Sequence, residues 1–325
     1  MTALRIGFYL KWDKGSLKTK GTNVLGDELY AESLAKAMRK SGKVAAAEVY
    51  APNHLPCERL DIMIYMNDFA PNPLWARKHL LYMQNAYGEG SELVLQKFQS
   101  IGYDGYAFIS ARLLRLHQQA GLHGIFLPFG VDLSVFTPHV PDPDYEFDVA
   151  YVGNDIKGEA RTTAFLVPAS KFNFGLFGNW AIPRARLRVW HNWQKHPEYT
   201  YEFEKISRGK IPQEKVPVLY SSARINLNCT SQDCVDWDVV TLRTFEVLAC
   251  KGFLITDRVP SAERELDGCV VFTDGHADLT AKIEHYLVHE HERREIAEAG
   301  YNYVCRFATV EARCHELLEY LREIA

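Results

Sequence analysis

The feature that most constrains this 325-residue chain is an alternation that runs through most of it: short apolar runs, too short for helices, separated by amphipathic stretches. Such a pattern dictates parallel sheets, because a strand can rejoin its neighbour in the same direction only through a crossover. In the first half the predicted strands are Leu4–Leu10, Ala46–Tyr50, Asp61–Met66, His79–Met83, Gly105–Ile109 and Gly124–Leu127. The clearest helix between them is Asp27–Lys40, where Leu29, Leu34, Ala37 and Met38 recur at helical spacing before Gly42 offers a C-cap.

The stretch Thr137–Phe147 holds three prolines and several acidic residues and reads as a linker without a packed element. A second series follows, with strands predicted at Asp148–Val152, Lys171–Phe177, Tyr199–Lys205, Arg224–Asn228, Gly252–Thr256 and Cys269–Phe272. From Asp278 to Ala325 the text is almost wholly helical. Two such halves imply an α/β chain of two doubly wound domains facing one another across a cleft. The expected boundaries are a first domain over 1–137, a linker over 138–147, a second domain over 148–308 and a terminal helix over 309–325 that crosses back to the first.

Composition removes several function classes. Apolar residues make 47% and charged residues 24% of the chain, which is ordinary folded material, and the formal charge of −4 gives no global basic field to gather nucleic acid or acidic lipid. No stretch approaches ~18 consecutive apolar residues, and the N-terminal run has a charge inside it, so a cytosolic protein without a membrane span is expected, with peripheral membrane association left open. Seven scattered cysteines lack Cys-x2-Cys pairing and are expected as reduced, mostly buried thiols. His285, His289 and His291 lie on a charged helical stretch and are expected at the surface, not as a metal set.

Four segments carry chemical information. In Leu127-Pro128-Phe129-Gly130-Val131-Asp132-Leu133-Ser134-Val135-Phe136-Thr137-Pro138, a strand ends at Pro128, Gly130 permits a tight turn, and Phe136 can pin the linker to a domain surface. In Asp236–Asp257, a polar loop over Cys229–Asp238 leads into a helix with Leu242, Phe245 and Leu248 on its apolar face. The N-terminus of that helix, at Val239, Val240 and Thr241, opens on the carboxyl edge of the second sheet, where free amides and the macrodipole favour a diphosphate. Arg243 can add a charge-assisted contact, and Glu246 is either a ribose acceptor or a solvated helical glutamate. Asp236 and Asp238 have the spacing of an Asp-x-Asp metal motif but enter a helix.

The third segment, Asp148–Gly158, is a strand and a loop with Gly153, Asn154 and Lys157, from which Lys157 or Arg161 can meet phosphate; a plain βα turn is the other reading. Further loops at Phe177-Gly178-Asn179-Trp180 and Arg208-Gly209-Lys210 can read a base edge through backbone atoms. Trp190 and Trp193 read as packing residues. The fourth, Lys11–Glu28, joins the first strand to the first helix by an unusually long connection with four lysines and three glycines. It does not match a P-loop, because the Gly21-to-Gly26 spacing is followed by Asp27 and Glu28. A solvated lysine loop is its alternative. Tyr82-Met83-Gln84-Asn85 either lines an acceptor cleft or caps a helix through Asn85.

The Pro-x-Gly-Val-Asp-x-x-x-Phe-x-Pro segment resembles the hinge of GT-B glycosyltransferases, which have two Rossmann-like domains. Asp238 and Glu246 resemble their Glu-x7-Glu region with Asp in the first place, and Arg-x-Phe-Glu-Val-Leu-Ala-x-x-Gly-Phe-Leu resembles the spore-maturation CgeB-like group. The resemblance implies transfer of a sugar from a UDP-, GDP- or dTDP-linked donor to a hydroxyl acceptor, with no cofactor and no metal. It implies a donor site of Gly153, Asn154, Lys157, Gly178, Asn179, Arg208, Lys210, Thr230, Asp238, Val239, Val240, Thr241, Arg243 and Glu246. Arg243 would stabilise the leaving nucleotide, and Lys20, Gly21, Thr22 and Asn23 would form an acceptor or phosphate loop. The Glu-x7-Glu likeness favours retention of anomeric configuration; an inverting enzyme would need Asp13 or Asp27 as base. A non-catalytic sugar-nucleotide-binding subunit and a sugar-nucleotide epimerase share the same features.

Overall fold

The computed structural model describes residues 3–15, 26–84, 91–181 and 196–325. The chain divides into two compact units: Met1–Asp132 with Asp236–Val240 and Phe307–Ala325, and Leu133–Val235 with Thr241–Arg306. Lys20, Gly21, Thr22, Asn23, Asn85, Trp190 and Trp193, whose roles the sequence suggests, lie outside the described residues.

The first unit contains β1 (Leu4–Tyr9), α1 (Gly26–Ser41), β2 (Val44–Tyr50), β3 (Leu60–Tyr65), β4 (Ala76–Met83), α2 (Ser91–Ile101), β5 (Gly105–Phe108), α3 (Ala111–Gln119) and β6 (Ile125–Phe126). The strands form one six-stranded parallel sheet in the order β2-β1-β3-β4-β5-β6. Ile6 pairs with Ile62 and Phe8 with Ile64, and all four are buried, as expected for strands covered on both faces. Helix α1 buries Tyr30, Ala31, Leu34, Ala35, Ala37 and Met38, a stripe at helical period. Gly42 ends it in the left-handed region (φ 67°), the conformation the predicted C-cap requires.

The C-terminal helix Val310–Ile324 packs against α1, and its Tyr320 hydroxyl accepts a hydrogen bond from the Tyr106 amide at 3.2 Å. The chain enters this helix through a parallel bridge between Val131 and Thr309. Gly130 is needed there for close approach and not for a turn: a Cβ at this position would lie 2.5 Å from the Thr309 carbonyl oxygen. Tyr82 and Met83 are core residues, with the Tyr82 hydroxyl donating to the Leu127 carbonyl at 2.9 Å, so they do not line a surface cleft.

The second unit contains β7 (Val149–Val152), α4 (Glu159–Phe165), β8 (Phe174–Phe177), α5 (Glu198–Ile206), α6 (Val216–Ser222), β9 (Ile225–Asn228), α7 (Gln232–Asp236), α8 (Leu242–Ala249), β10 (Leu254–Asp257), α9 (Pro260–Glu265), β11 (Val271–Thr273), α10 (His276–Val288) and α11 (Glu290–Phe307). Its five parallel strands run β11-β10-β9-β7-β8. Three expectations are corrected. Tyr199–Lys205 is helical, not a strand: Tyr199, Thr200 and Phe203 bury one helical face, and the β-favouring aromatics there serve that face. The loop Cys229–Asp238 contains α7, so Asp236 ends a helix and Asp238 stands before the next one in the left-handed region (φ 58°).

The linker is also not bare. Pro143–Tyr145 forms a 3-10 turn capped by Asp142, and the amides of His139 and Asp142 donate to Ser221 and Ser222 on α6. Phe136 is buried and stacks on Tyr220 at 6.4 Å, the pinning role expected of it. All seven cysteines are free, with Cys229, Cys250 and Cys314 buried and Cys57 and Cys305 exposed. No helix among the described residues is long and apolar enough to cross a membrane.

Leu317 is wholly buried in the first unit. Leu317→Ala is expected to cost about 2–5 kcal/mol and to lower the urea midpoint, whereas Glu319→Ala on the exposed face should change stability by less than ~0.5 kcal/mol. Equal midpoints for the two variants in equilibrium unfolding would show that the terminal helix is not part of the core.

Candidate functional site

In the second sheet β7 connects outward to β8 on one side, while β9, β10 and β11 continue on the other. The carboxyl ends of β7 and β9 therefore flank the topological switch point, where loops diverge and leave a crevice. Four of the sequence-nominated segments leave the strands at this edge: Gly153–Lys157 after β7, Gly178–Asn179 after β8, Thr230 after β9, and Thr241–Glu246 in α8.

Asn228, the last residue of β9, is 3% exposed and organises the crevice. Its Oδ1 accepts from Arg243 Nη1 at 3.0 Å and from Thr241 Oγ1 at 3.4 Å, while its Nδ2 donates to Thr230 Oγ1 at 3.2 Å and to Thr256 Oγ1 at 3.1 Å. At the end of β10, buried Asp257 accepts from the Thr230 amide and, at 2.9 Å, from the Thr230 hydroxyl, and it pairs with Arg161. Arg161 also donates to Gln232 at 3.1 Å. Arg161 is thus engaged by Asp257 and Gln232.

Arg243 lies over the Tyr151 ring, its guanidinium carbon 5.0 Å from the centroid. Lys157 makes no hydrogen bond or ion pair among the described residues; burial, helped by the neighbouring Arg243 charge, lowers its pKa. Thr241 precedes α8 without a side-chain cap, and no acidic residue stands in the first turn. Two cations and an open helix N-terminus thus share one edge. One turn further along α8, burial pushes the Glu246 carboxyl up to about 7 against the pull of Arg243.

A second feature is the interlock of three loops. Gly153 N donates to Phe177 O at 2.9 Å, Gly178 N to Gly209 O at 2.8 Å, and Asn179 N to Asn154 Oδ1 at 2.8 Å. Gly178 sits at φ 133°, where a Cβ would lie 2.1 Å from the Gly153 carbonyl oxygen, so only glycine fits. Beside the interlock is a recess of about 250 Å³ lined in part by Asn179, Trp180, Glu204, Ser207 and Lys210. That is smaller than the ~300–1,000 Å³ of a whole ligand site and suits one ring of a larger ligand. Arg208 instead stacks on Phe147, 4.7 Å from its centroid.

The structure brings Gly153, Asn154, Lys157, Gly178, Asn179, Lys210, Thr230, Thr241, Arg243 and Glu246 to one edge of this unit. Asp238, Val239 and Val240 group instead with the first unit, where Ser110 Oγ donates to the Trp237 carbonyl at 2.6 Å and Arg112 to the Asp236 carbonyl at 2.5 Å. In the first unit Asp27 accepts from Asn67 Nδ2 at 2.9 Å, and exposed Asp13, after burial, helps raise the pKa of Tyr9. Sequence reasoning missed Asn228, Asp257 and Tyr151, which look like ordinary strand residues. Tyr151 is 1% exposed, and its hydroxyl, packed against Gly153, has no hydrogen-bond partner among the described residues. A Tyr in place of Phe at a dry strand position was the available signal.

A family model described as glycosyl transferase-like matches residues 161–319. A comparison with curated protein sequences finds no match. Among solved structures, the chain is similar to Alr3699/HepE of Anabaena in complex with UDP and glucose, with TM-score 0.68, 13% identity, and coverage of 98% of this chain and 100% of that one. It is similar to a sucrose-phosphate synthase (tll1590) from Thermosynechococcus elongatus, with TM-score 0.66, 13% identity and 99% of each chain covered. It is also similar to T4 phage BGT in complex with its UDP-glucose substrate, with TM-score 0.64, 14% identity, and 98% of this chain and 99% of that one covered. The two parallel-sheet units thus have the GT-B architecture.

Two buried side chains predict measurable effects on stability. Tyr151→Phe removes an unpaired buried hydroxyl, so thermal unfolding should show a melting temperature equal to or above that of the parent. Folding raises the Glu246 pKa from its ordinary 4.5 to about 7, so the stability tied to its proton is complete below the lower value and is lost as pH rises through the upper one. Glu246→Gln should therefore gain a few degrees over the parent at pH 8 and much less at pH 5. The same difference at both pH values would place Glu246 in solvent-like surroundings.

Proposed function

We propose that this chain is a glycosyltransferase of the GT-B class that moves a sugar from a UDP-activated donor to a hydroxyl acceptor, the diphosphate lying at the switch point of the second sheet. The observation that carries the reading is the convergence there of Lys157, Arg243 and the uncapped N-terminus of α8. Side-chain cations and oriented amides together form a site for two phosphates. UDP is favoured over other nucleotides because the similar structures from Anabaena and phage T4 were solved with UDP or UDP-glucose. The recess beside Trp180 and Asn179 takes the base, and Glu246 accepts the ribose hydroxyls.

In the reaction, the acceptor oxygen forms a bond to the anomeric carbon as the bond from that carbon to the β-phosphate oxygen breaks. The electron pair goes to the departing UDP. Arg243, Lys157 and the α8 amides meet the charge that develops there, which is where fixed donors in a partly dry site accelerate the step. The same groups let the reaction proceed without a divalent metal. Retention follows the Glu-x7-Glu likeness, with the departing phosphate oxygen taking the acceptor proton. In an inverting reaction Asp27, fixed by Asn67, is a better-held base than exposed Asp13. The first unit is the acceptor side, and CgeB-like character and a cytosolic setting belong to the same proposal.

Calorimetry with UDP and UDP-glucose tests the donor site. Arg243→Ala should weaken UDP binding roughly ten- to a hundredfold, the ~1.5–3 kcal/mol of a charge-assisted contact. Unchanged affinity in both Arg243→Ala and Lys157→Ala would remove the assignment. Tyr151→Phe should weaken binding although it does not destabilise the free protein. Affinity should also rise between pH 6 and 8, because the ribose hydroxyls bind the ionised carboxyl of Glu246 and its pKa lies near 7. Glu246→Gln should leave only the shallow dependence contributed by the phosphate itself, whose second ionisation lies near pH 6.

Turnover in excess chelator, with sugar transfer followed against a panel of saccharide and lipid hydroxyl acceptors, tests the chemistry. Binding without any turnover would mark a non-catalytic subunit, and interconversion of the donor sugar alone would mark an epimerase. Loss of transfer in chelator, restored by Mg²⁺ or Mn²⁺, would overturn metal independence.

A further inference from the structure

Away from the donor edge, the junction of α10 and α11 gathers three metal-ligating side chains. His285 lies in the last turn of α10, His289 caps that helix, and Glu292 stands in the first turn of α11. The sequence predicted separate surface histidines. The structure keeps all three residues exposed but stacks the two imidazoles, with centroids 3.9 Å apart and planes at 16°. His285 Nε2 lies 2.9 Å from Glu292 Oε2, and one ligand atom from each residue falls within 4.8 Å of the others.

We propose that His285, His289 and Glu292 bind one divalent transition-metal ion, zinc by preference, which fastens the end of α10 to the start of α11. Zinc takes nitrogen at ~2.0–2.1 Å and carboxylate oxygen at ~2.0–2.2 Å in tetrahedral geometry, so its ligand atoms stand roughly 3.3–3.5 Å apart. The present separations run from 2.9 Å to within 4.8 Å, and binding turns the two exposed rings out of their parallel stack and breaks the His285–Glu292 hydrogen bond, so that both ring lone pairs and the carboxylate meet one ion. Water fills the fourth position.

A second observation points the same way. His289 Nδ1 lies 2.6 Å from the His285 carbonyl oxygen, so Nδ1 carries the proton and Nε2 keeps its lone pair outward. Metal-bound histidines are oriented by this kind of bond from the other ring nitrogen to a carbonyl. Two imidazoles and one carboxylate suit zinc, copper or nickel, whereas magnesium and calcium need more oxygen ligands than this cluster offers. Neighbouring His291 is engaged by Glu295 at 3.3 Å and is not part of the set. The site is independent of the donor reading, since none of its residues belongs to the switch-point crevice.

Calorimetric titration of the full chain with ZnCl₂, after chelator treatment and with thiols kept reduced, tests the proposal. One ion per chain is expected, with a rise in melting temperature as zinc is added and none with MgCl₂. His285→Ala and His289→Ala should each weaken zinc binding at least tenfold and abolish the melting shift. The double variant Cys57→Ser, Cys305→Ser should leave both unchanged. Absence of binding, affinity unchanged in both histidine variants, or loss of binding in the cysteine variant would each overturn the site.

Discussion

The carboxyl edge of the second sheet depends on one buried amide. Asn228 sits at the end of a central strand with almost no access to water, so each hydrogen-bonding position of its side chain must be met by protein. Its oxygen faces Arg243 and Thr241, and its nitrogen faces Thr230 and Thr256. Turning the amide over would set its nitrogen against the Arg243 guanidinium and its oxygen against two hydroxyls whose protons go to Asp257. The single orientation that satisfies it also fixes where α8 begins and which way the Arg243 guanidinium points. Asp257 repeats the logic one strand away by holding Thr230 and neutralising Arg161.

That local order is useful because of where parallel-sheet topology puts it. Strands β7 and β9 are neighbours, yet their following segments leave in opposite senses, so the space above their carboxyl ends stays open. The Gly153–Gly178 contact then fixes the loops on one side of the opening as firmly as Asn228 fixes α8 on the other. Any side chain at Gly178 would force the two backbones apart, and with them the recess lined by Asn179 and Trp180.

These details differ in how far they can be read from sequence. The two sheets follow from alternation, and Arg243 and Glu246 follow from a local helix whose N-terminus meets a sheet edge. Each depends on residues close together in the chain. Tyr199–Lys205 was misread because its aromatic residues favour strands in isolation, while its burial, on Tyr199, Thr200 and Phe203, obeys a helical period set by packing on β8. Asp257 and Asn228 are not legible for a different reason: Arg161 lies about a hundred positions from Asp257, and the partners of Asn228 meet it only once β9, α8 and β10 are assembled. The His285–Glu292 contact was missed because it spans a helix break that turns one helical text into two helices.

The two switch points carry different side chains on the same scaffold. In the second unit the edge presents Lys157, Arg243 and helix amides, with Glu246 held near neutrality by burial. In the first unit, where β1 and β3 adjoin, the described residues at the corresponding edge are of mixed charge: Asp27 is bound by Asn67, buried Glu28 accepts from the Gly15 amide at 2.7 Å, and Lys14 pairs with Glu32 at 2.7 Å. Backbone topology is indifferent to charge, so side chains alone decide what each edge can hold. A polyphosphate is attracted to an edge with two cations and helix amides, whereas a neutral polyol loses little beside carboxylates that can accept its hydroxyls. Side-chain charge can therefore differ between two similar sheets without any difference in fold.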